Sequence, residues 1–196
     1  KKYRVLTAAH CVADYDKNTS KTTPNKSHFF MLLEKPGGVN SVHKLEVLKI
    51  WEIKEGKDFA VLEAETDEDI PVAVLAKSGP KLDEDLRVVT MPIGSDVGLL
   101  LLRGYVSKKK MMSPETDGFN IEGMFVLQVA GLGSGQGSSG SCVFSLKQNA
   151  VVGIVTLAKS SPNNHTSLLV IPINKFNDSY KEYLQEEQAK KEAEKK

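Results

Sequence analysis

The stretch SGSCVFSLKQNAVVGIVTLAKSSPNNHTSLLVIPIN, Ser139 to Asn174, decides the architecture. Three apolar, β-branched-rich runs, Ser141–Leu146, Ala150–Leu157 and Thr166–Ile171, stand between turn residues such as "KSSPNN". Short runs of this kind, without a three-to-four spacing, read as strands. Working outward, the pattern repeats. Leu86–Met91, Gly98–Val106 and Gly123–Ala130 precede the stretch, and Arg4–Ala9, His28–Leu33, Lys44–Ile53, Phe59–Ala64 and Pro71–Leu75 form an earlier series. The turns "KPGG", "SGPK" and "SPETDG" punctuate both. Strands at this spacing argue for an all-β sandwich or barrel. "KSGPKLDED", Lys77 to Asp85, divides the series into two halves of similar size. From Asn174 the pattern changes: Phe176, Tyr180, Tyr183 and Leu184 fall on one helical face. Beyond them Glu186/Lys190, Glu187/Lys191 and Glu192/Lys196 are spaced to support a solvated helix. The expectation is a terminal helix docked on a β body.

Bulk properties exclude several classes. The chain has 196 residues, a formal net charge of +1, 40% hydrophobic and 26% charged residues. That is an ordinary globular composition, and the charge balance points to no nucleic-acid or anionic-membrane partner. No apolar run is long enough to span a bilayer. No signal peptide is visible, and the abrupt start at Lys1 reads as trimmed or processed. The compartment stays open, with a secreted or periplasmic one favoured. Two cysteines, Cys11 and Cys142, are too few for a disulfide framework and wrongly spaced for zinc, so both are read as free thiols. His28 and His43 have no ligand spacing, and no metal or cofactor is expected. Sequons occur at Asn18, Asn25, Asn164 and Asn177. Lys108–Lys110 is the strongest local charge cluster and reads as a solvated loop, with an acidic partner as the alternative.

Three positions carry candidate chemistry. His10 follows a strand in "VLTAAHCV", Asp58 opens one in "GKDFAVLE", and serines crowd "GSGQGSSGSCVF", Gly133 to Phe144. Each alone reads as structural. Together they supply what acyl transfer requires: a hydroxyl nucleophile, an imidazole to take its proton, and a carboxylate to fix the imidazole tautomer.

"LTAAHCV", "DFAVLE", "GSSGS" and "VVGIVT" resemble, in that order, the histidine, aspartate, nucleophile and pocket-strand motifs of the chymotrypsin-like (trypsin-fold) serine proteases. "RVVTMPIG" and "LLVIPIN" are closer to the compact bacterial and viral branch. The resemblance implies two packed antiparallel six-stranded β-barrels: residues 1–80 with His10 and Asp58, residues 81–173 with the nucleophile and specificity pocket, and a C-terminal helix and charged tail over 174–196. It implies Ser139 as nucleophile, His10 as base and then acid, and Asp58 as its orienting carboxylate, with Thr156 hydrogen-bonding that aspartate. The N–H groups of Gly137 and Ser139 would form the oxyanion hole. Gly133, Ser134, Gln136, Thr156, Leu157, Ala158 and His165 would line the substrate pocket.

The sequence departs from this pattern in three places. The strand that precedes the histidine strand in the family is absent here, so the first barrel is open, or is completed by a partner or a missing N-terminal segment. Cys11 lacks the partner it has in animal relatives. Ser138 replaces the aspartate that receives a new N-terminus in trypsin-type zymogens. The uncharged Gly133 argues against cleavage after Arg or Lys, because an unpaired buried cation is costly. If His165 turned inward it would favour Glu or Gln; if outward, a small or medium apolar residue, which is the reading preferred. The expected activity is protein or peptide hydrolysis. The alternatives are an inactive protease-like binding module and a viral polyprotein protease.

Overall fold

The computed structural model describes every residue except 17–18, 20, 35–39, 92–98, 112–114, 117–118, 133–134, 161–164 and 195–196. In the first half, strands β1 (Lys2–Thr7), β4 (Phe29–Glu34), β5 (Asn40–Ile50) and β6 (Ala60–Glu65) form an antiparallel sheet ordered β1-β6-β5-β4. A hairpin of β2 (Ala13–Asp16) and β3 (Lys21–Pro24) lies beside it. The register opposes Val5 to Leu62 and Phe29 to Leu45, which places the apolar residues on one face. That face packs with Ala9, Val12 and Ile53 into a small core.

In the second half, β7 (Asp85–Thr90), β8 (Leu100–Lys108), β11 (Phe125–Ala130), β12 (Cys142–Ser145), β13 (Ala150–Ser160) and β14 (His165–Pro172) close a six-stranded antiparallel barrel. A two-stranded ribbon, β9 (Glu115–Thr116) and β10 (Phe119–Asn120), lies between β8 and β11 in the chain and is tied to the first half by Asn120 Nδ2, which donates to Lys54 O at 3.1 Å. Helix α1 (Ile173–Ala193) follows β14 directly. Among the described residues no helix is long and apolar enough to cross a membrane.

The chain is therefore all-β with a terminal helix, as expected, and the first half is the open one. Among the described residues β1 is an edge strand. Lys1 and Thr66 exchange backbone bonds of 2.9 Å in both directions. Alternation along an antiparallel pair then turns the N–H and C=O groups of Lys2, Arg4 and Leu6 away from β6. Beside that edge lies an apolar cleft of about 410 Å³, lined by Tyr3, Leu6, Pro71, Leu75, Cys142 and Ile154 among others.

Three sequence expectations need correction. Pro71–Leu75 is not a strand. Pro71 has no N–H to donate, Val72 and Val74 are exposed, and only an isolated parallel bridge from Leu75 to Val151 marks the segment. The β2–β3 hairpin was missed because "ADYD" and "KTTP" are too polar to signal a buried strand. In the tail Lys190 pairs with Glu187 at 3.2 Å rather than with Glu186, the i,i+3 and i,i+4 spacings being near-equivalent on a helix.

One buried cluster joins both halves. Trp51, Phe59 and Val61 of the first pack with Leu127, Val155 and Leu168 of the barrel and with Ile173 and Phe176 of the helix. Trp51 meets Phe59 at a 4.9 Å centroid distance and Phe176 at 6.1 Å. Each such side chain contributes about 1.5–3 kcal/mol through burial. Three of the four residues of the helix face read from sequence serve this purpose: Phe176 is buried and Tyr180 and Tyr183 contact Trp51, whereas Leu184 is exposed.

Candidate active site

His10 sits in a single 3-10 turn, Ala9–Cys11, entered from β1. Asp58 precedes β6, after a second such turn, Ile53–Glu55. Both loops end against the same sheet, which brings the two side chains together. The Asp58 side chain is 1% exposed. Its Oδ1 accepts the His10 backbone N–H at 2.9 Å, and its Oδ2 lies 2.7 Å from His10 Nδ1. Thr156 Oγ1 donates to the same Oδ2. Three donors converge on this buried carboxylate and satisfy its oxygens. With Nδ1–H bonded to that carboxylate, His10 Nε2 is left as the basic nitrogen.

Thr156 reaches Asp58 because of a defect in the barrel. In the β13–β14 ladder Val155 pairs with Val170 and Leu157 with Leu169, so Thr156 is the extra residue of a bulge. A bulge bends its strand and re-aims a side chain. The Thr156 carbonyl accepts the Ser139 hydroxyl at 3.1 Å. One bulged residue thus holds the carboxylate with its side chain and the serine with its backbone.

The serine loop is a succession of tight turns, with N–H···O bonds from Gly135 to Leu132, Ser138 to Gly135 and Ser141 to Ser138. It is tied to β13 by Gly140 N–H on Val155 O at 2.8 Å and Val155 N–H on Ser141 O at 2.9 Å. Among the described residues, the Gly137 and Ser139 N–H groups donate to no backbone carbonyl. Ser138 is fully buried, and its hydroxyl has no hydrogen-bond partner among the described residues.

Of the pocket residues expected from sequence, Gly133 and Ser134 lie outside the described residues. Gln136 and His165 are exposed, Leu157 and Ala158 half-buried, and Thr156 buried. Gly135 was not singled out from sequence. A Cβ placed on it would lie 2.5 Å from Ala158 Cβ and 3.3 Å from Thr166 Cγ2, so the loop sits flush on the start of β14 and the far end of β13. Cys11 and Cys142 are free thiols, as read. Burial, and then the Asp58 charge, push the Cys11 thiol up to about 11. Among the described residues no three His, Cys, Asp or Glu side chains converge.

The family model of the trypsin-like peptidase domain matches residues 1–154. The chain belongs to that family. No curated protein matches the trypsin-like chain in sequence. Solved structures do match its fold. The MamO protease domain from Magnetospirillum magneticum, in its apo form, superposes with a TM-score of 0.64 at 17% identity, over 90% of this chain and 82% of that one. Deg5 superposes with a TM-score of 0.62 at 18% identity, over 89% and 75%. The HtrA-type protease AlgW, solved with a decapeptide, gives 0.60 at 19%, over 86% of this chain and 44% of that one. At these identities the likeness speaks for the fold.

Proposed function

We propose that this trypsin-like domain is a serine endopeptidase in which Ser139 is the nucleophile, His10 the base and Asp58 the carboxylate that orients it. The observation that carries the reading is the convergence of a buried, triply bonded Asp58, His10 Nδ1 and the Ser139 loop on the bulge at Thr156. Ser139 Oγ leaves the Thr156 carbonyl, yields its proton to His10 Nε2 and attacks the substrate carbonyl carbon. The tetrahedral oxyanion is met by the N–H groups of Gly137 and Ser139. His10 then protonates the departing amine, and water, activated by the same imidazole, hydrolyses the acyl-enzyme.

The substrate is a protein or peptide cleaved after a small or medium apolar residue. The small side chain of Ala158 beside Gly135, and the exposure of His165, support this reading. Residues 1–80, 81–173 and 174–196 serve as histidine–aspartate half, serine half and packing helix. The open edge of β1 and the cleft beside it accept a further extended segment, on this chain or a partner, that completes the first barrel.

A fluorophosphonate probe tests the reading. It should label the wild type and fail with Ser139→Ala, while Ser138→Ala stays labelled. A wild type that resists the probe would instead support a binding module built on the same fold.

A further inference from the structure

Thr7 ends β1, immediately before the turn that carries His10. Its side chain faces the serine loop. A Cβ placed on Gly140, the residue after Ser139, would overlap Thr7 Oγ1 and lie 3.4 Å from Thr7 Cβ and 3.3 Å from Ala8 N. Gly140 has φ +82°, a backbone conformation that favours glycine, so space and backbone both exclude a side chain there. The loop and the end of β1 are therefore in direct contact, with the threonine hydroxyl against a bare Cα. Thr7 also lines one small cleft with Cys11, the residue after His10, and its hydroxyl works against the rise of that thiol's pKa. Gly140 is fixed from the opposite side by its bond to Val155 O. A continuous tie thus runs from the neighbour of His10, through Thr7, to the neighbour of Ser139.

We infer that Thr7 is a positioning residue: its hydroxyl, lodged between the His10 turn and Gly140, sets the distance between that turn and the Ser139 loop. The inference rests on Ser139 and His10 being the reacting pair. The other route between them passes through Asp58 and Thr156 and fixes where the imidazole is held. Thr7 fixes how near the loop approaches it. A misplacement of about 1 Å between reacting groups costs on the order of a hundredfold in rate. Threonine suits the task because branching at Cβ restricts χ1 and keeps the hydroxyl in one direction.

The test compares Thr7→Val, Thr7→Ser, Thr7→Ala and Gly140→Ala. Its readouts are fluorophosphonate labelling rate, kcat and KM on a peptide, melting temperature, and the NMR shifts of the His10 ring nitrogens and the Ser139 amide. Thr7→Val should slow labelling and kcat about tenfold or more with KM within about twofold. Thr7→Ser should recover most of the loss. The His10 and Ser139 shifts should move in Thr7→Val and return in Thr7→Ser, with melting temperatures little changed. Gly140→Ala should be slow because its methyl meets Thr7 at a backbone conformation that favours glycine. Unchanged shifts and rates in Thr7→Val would overturn the inference, as would a Thr7→Ser protein as impaired as Thr7→Val. If the wild type is not labelled, the protease reading fails, and the shifts still decide whether Thr7 sets the geometry. If Thr7→Val does not fold, Thr7→Ala against Thr7→Ser decides, and His10 and Ser139 shifts unchanged in both would sink the inference.

Discussion

At the residue scale the site depends on Thr156, whose donor hydroxyl occupies a lone pair of a carboxylate sealed from water. Thr156→Val keeps the volume and removes the donor. The buried Asp58 then loses one of its bonds, a change worth about 1–3 kcal/mol. The melting temperature should fall and kcat/KM should drop at least about tenfold, read from thermal denaturation and peptide hydrolysis. Equal activity would show that His10 alone suffices to hold Asp58. Cys11 offers a second measurement. With its thiol pushed up to about 11 by burial and by Asp58, only about one molecule in a thousand carries the thiolate at pH 8. Iodoacetamide should therefore modify Cys11 slowly at pH 8 in the folded protein and rapidly in denaturant. Equal rates in the two states would contradict the buried, protonated thiol.

At the scale of elements, the entry to β7 is pinned to the end of β12. The Glu84 carboxylate accepts the Ser145 hydroxyl at 2.6 Å and the Lys81 N–H at 2.8 Å. Burial raises the Glu84 pKa, but the bonds from Lys81, Ser145 and Gln148 outweigh it and hold the group below its ordinary value. A carboxylate depressed in the folded state stabilises above its unfolded pKa of about 4.3 and loses that contribution as pH falls through the lower folded value. Ser145→Ala should accordingly flatten the fall of melting temperature between about pH 4.5 and 3, and parallel curves for the two proteins would refute the link. The β1 edge makes a separate prediction. Amides of Tyr3 and Val5, bonded to β6, should exchange with deuterium far more slowly than those of Arg4 and Leu6. Four protected amides would mean that the edge is already covered. Phe176→Ala, which empties the junction of helix and core, should cost about 3–5 kcal/mol in denaturant unfolding.

For the whole molecule, the shared cluster around Trp51, Phe59 and Phe176 predicts one cooperative unfolding transition, seen alike by tryptophan fluorescence and far-UV dichroism. Two separated transitions would show that the halves are independent. Much of this architecture was legible in the sequence because the barrel strands are rich in β-branched residues and the helix face is aromatic. His10, Asp58 and Ser139 stood out as short motifs, and the structure brings their segments together around Thr156. The polar hairpin at residues 13–24 was not legible, because its strands carry no buried apolar run. Pro71–Leu75 misled because alternating valines look alike whether they face a core or water. The contacts of Thr7 with Gly140 and of Gly135 with Ala158 were invisible, since they arise between segments far apart in the chain.

The bulge at Thr156 sets the barrel's regularity against its chemistry. It is a single surplus residue in a ladder that would otherwise run unbroken from Gly153 to Ser160. Deleting it would let every neighbouring pair fall into step and would yield a more uniform sheet. The same deletion would take away the hydroxyl on Asp58 and the carbonyl under Ser139 together. A screen for thermal robustness alone would therefore be drawn toward shortening β13 by one residue, and, on the mechanism proposed for Ser139 and Asp58, a screen for turnover would discard every such clone.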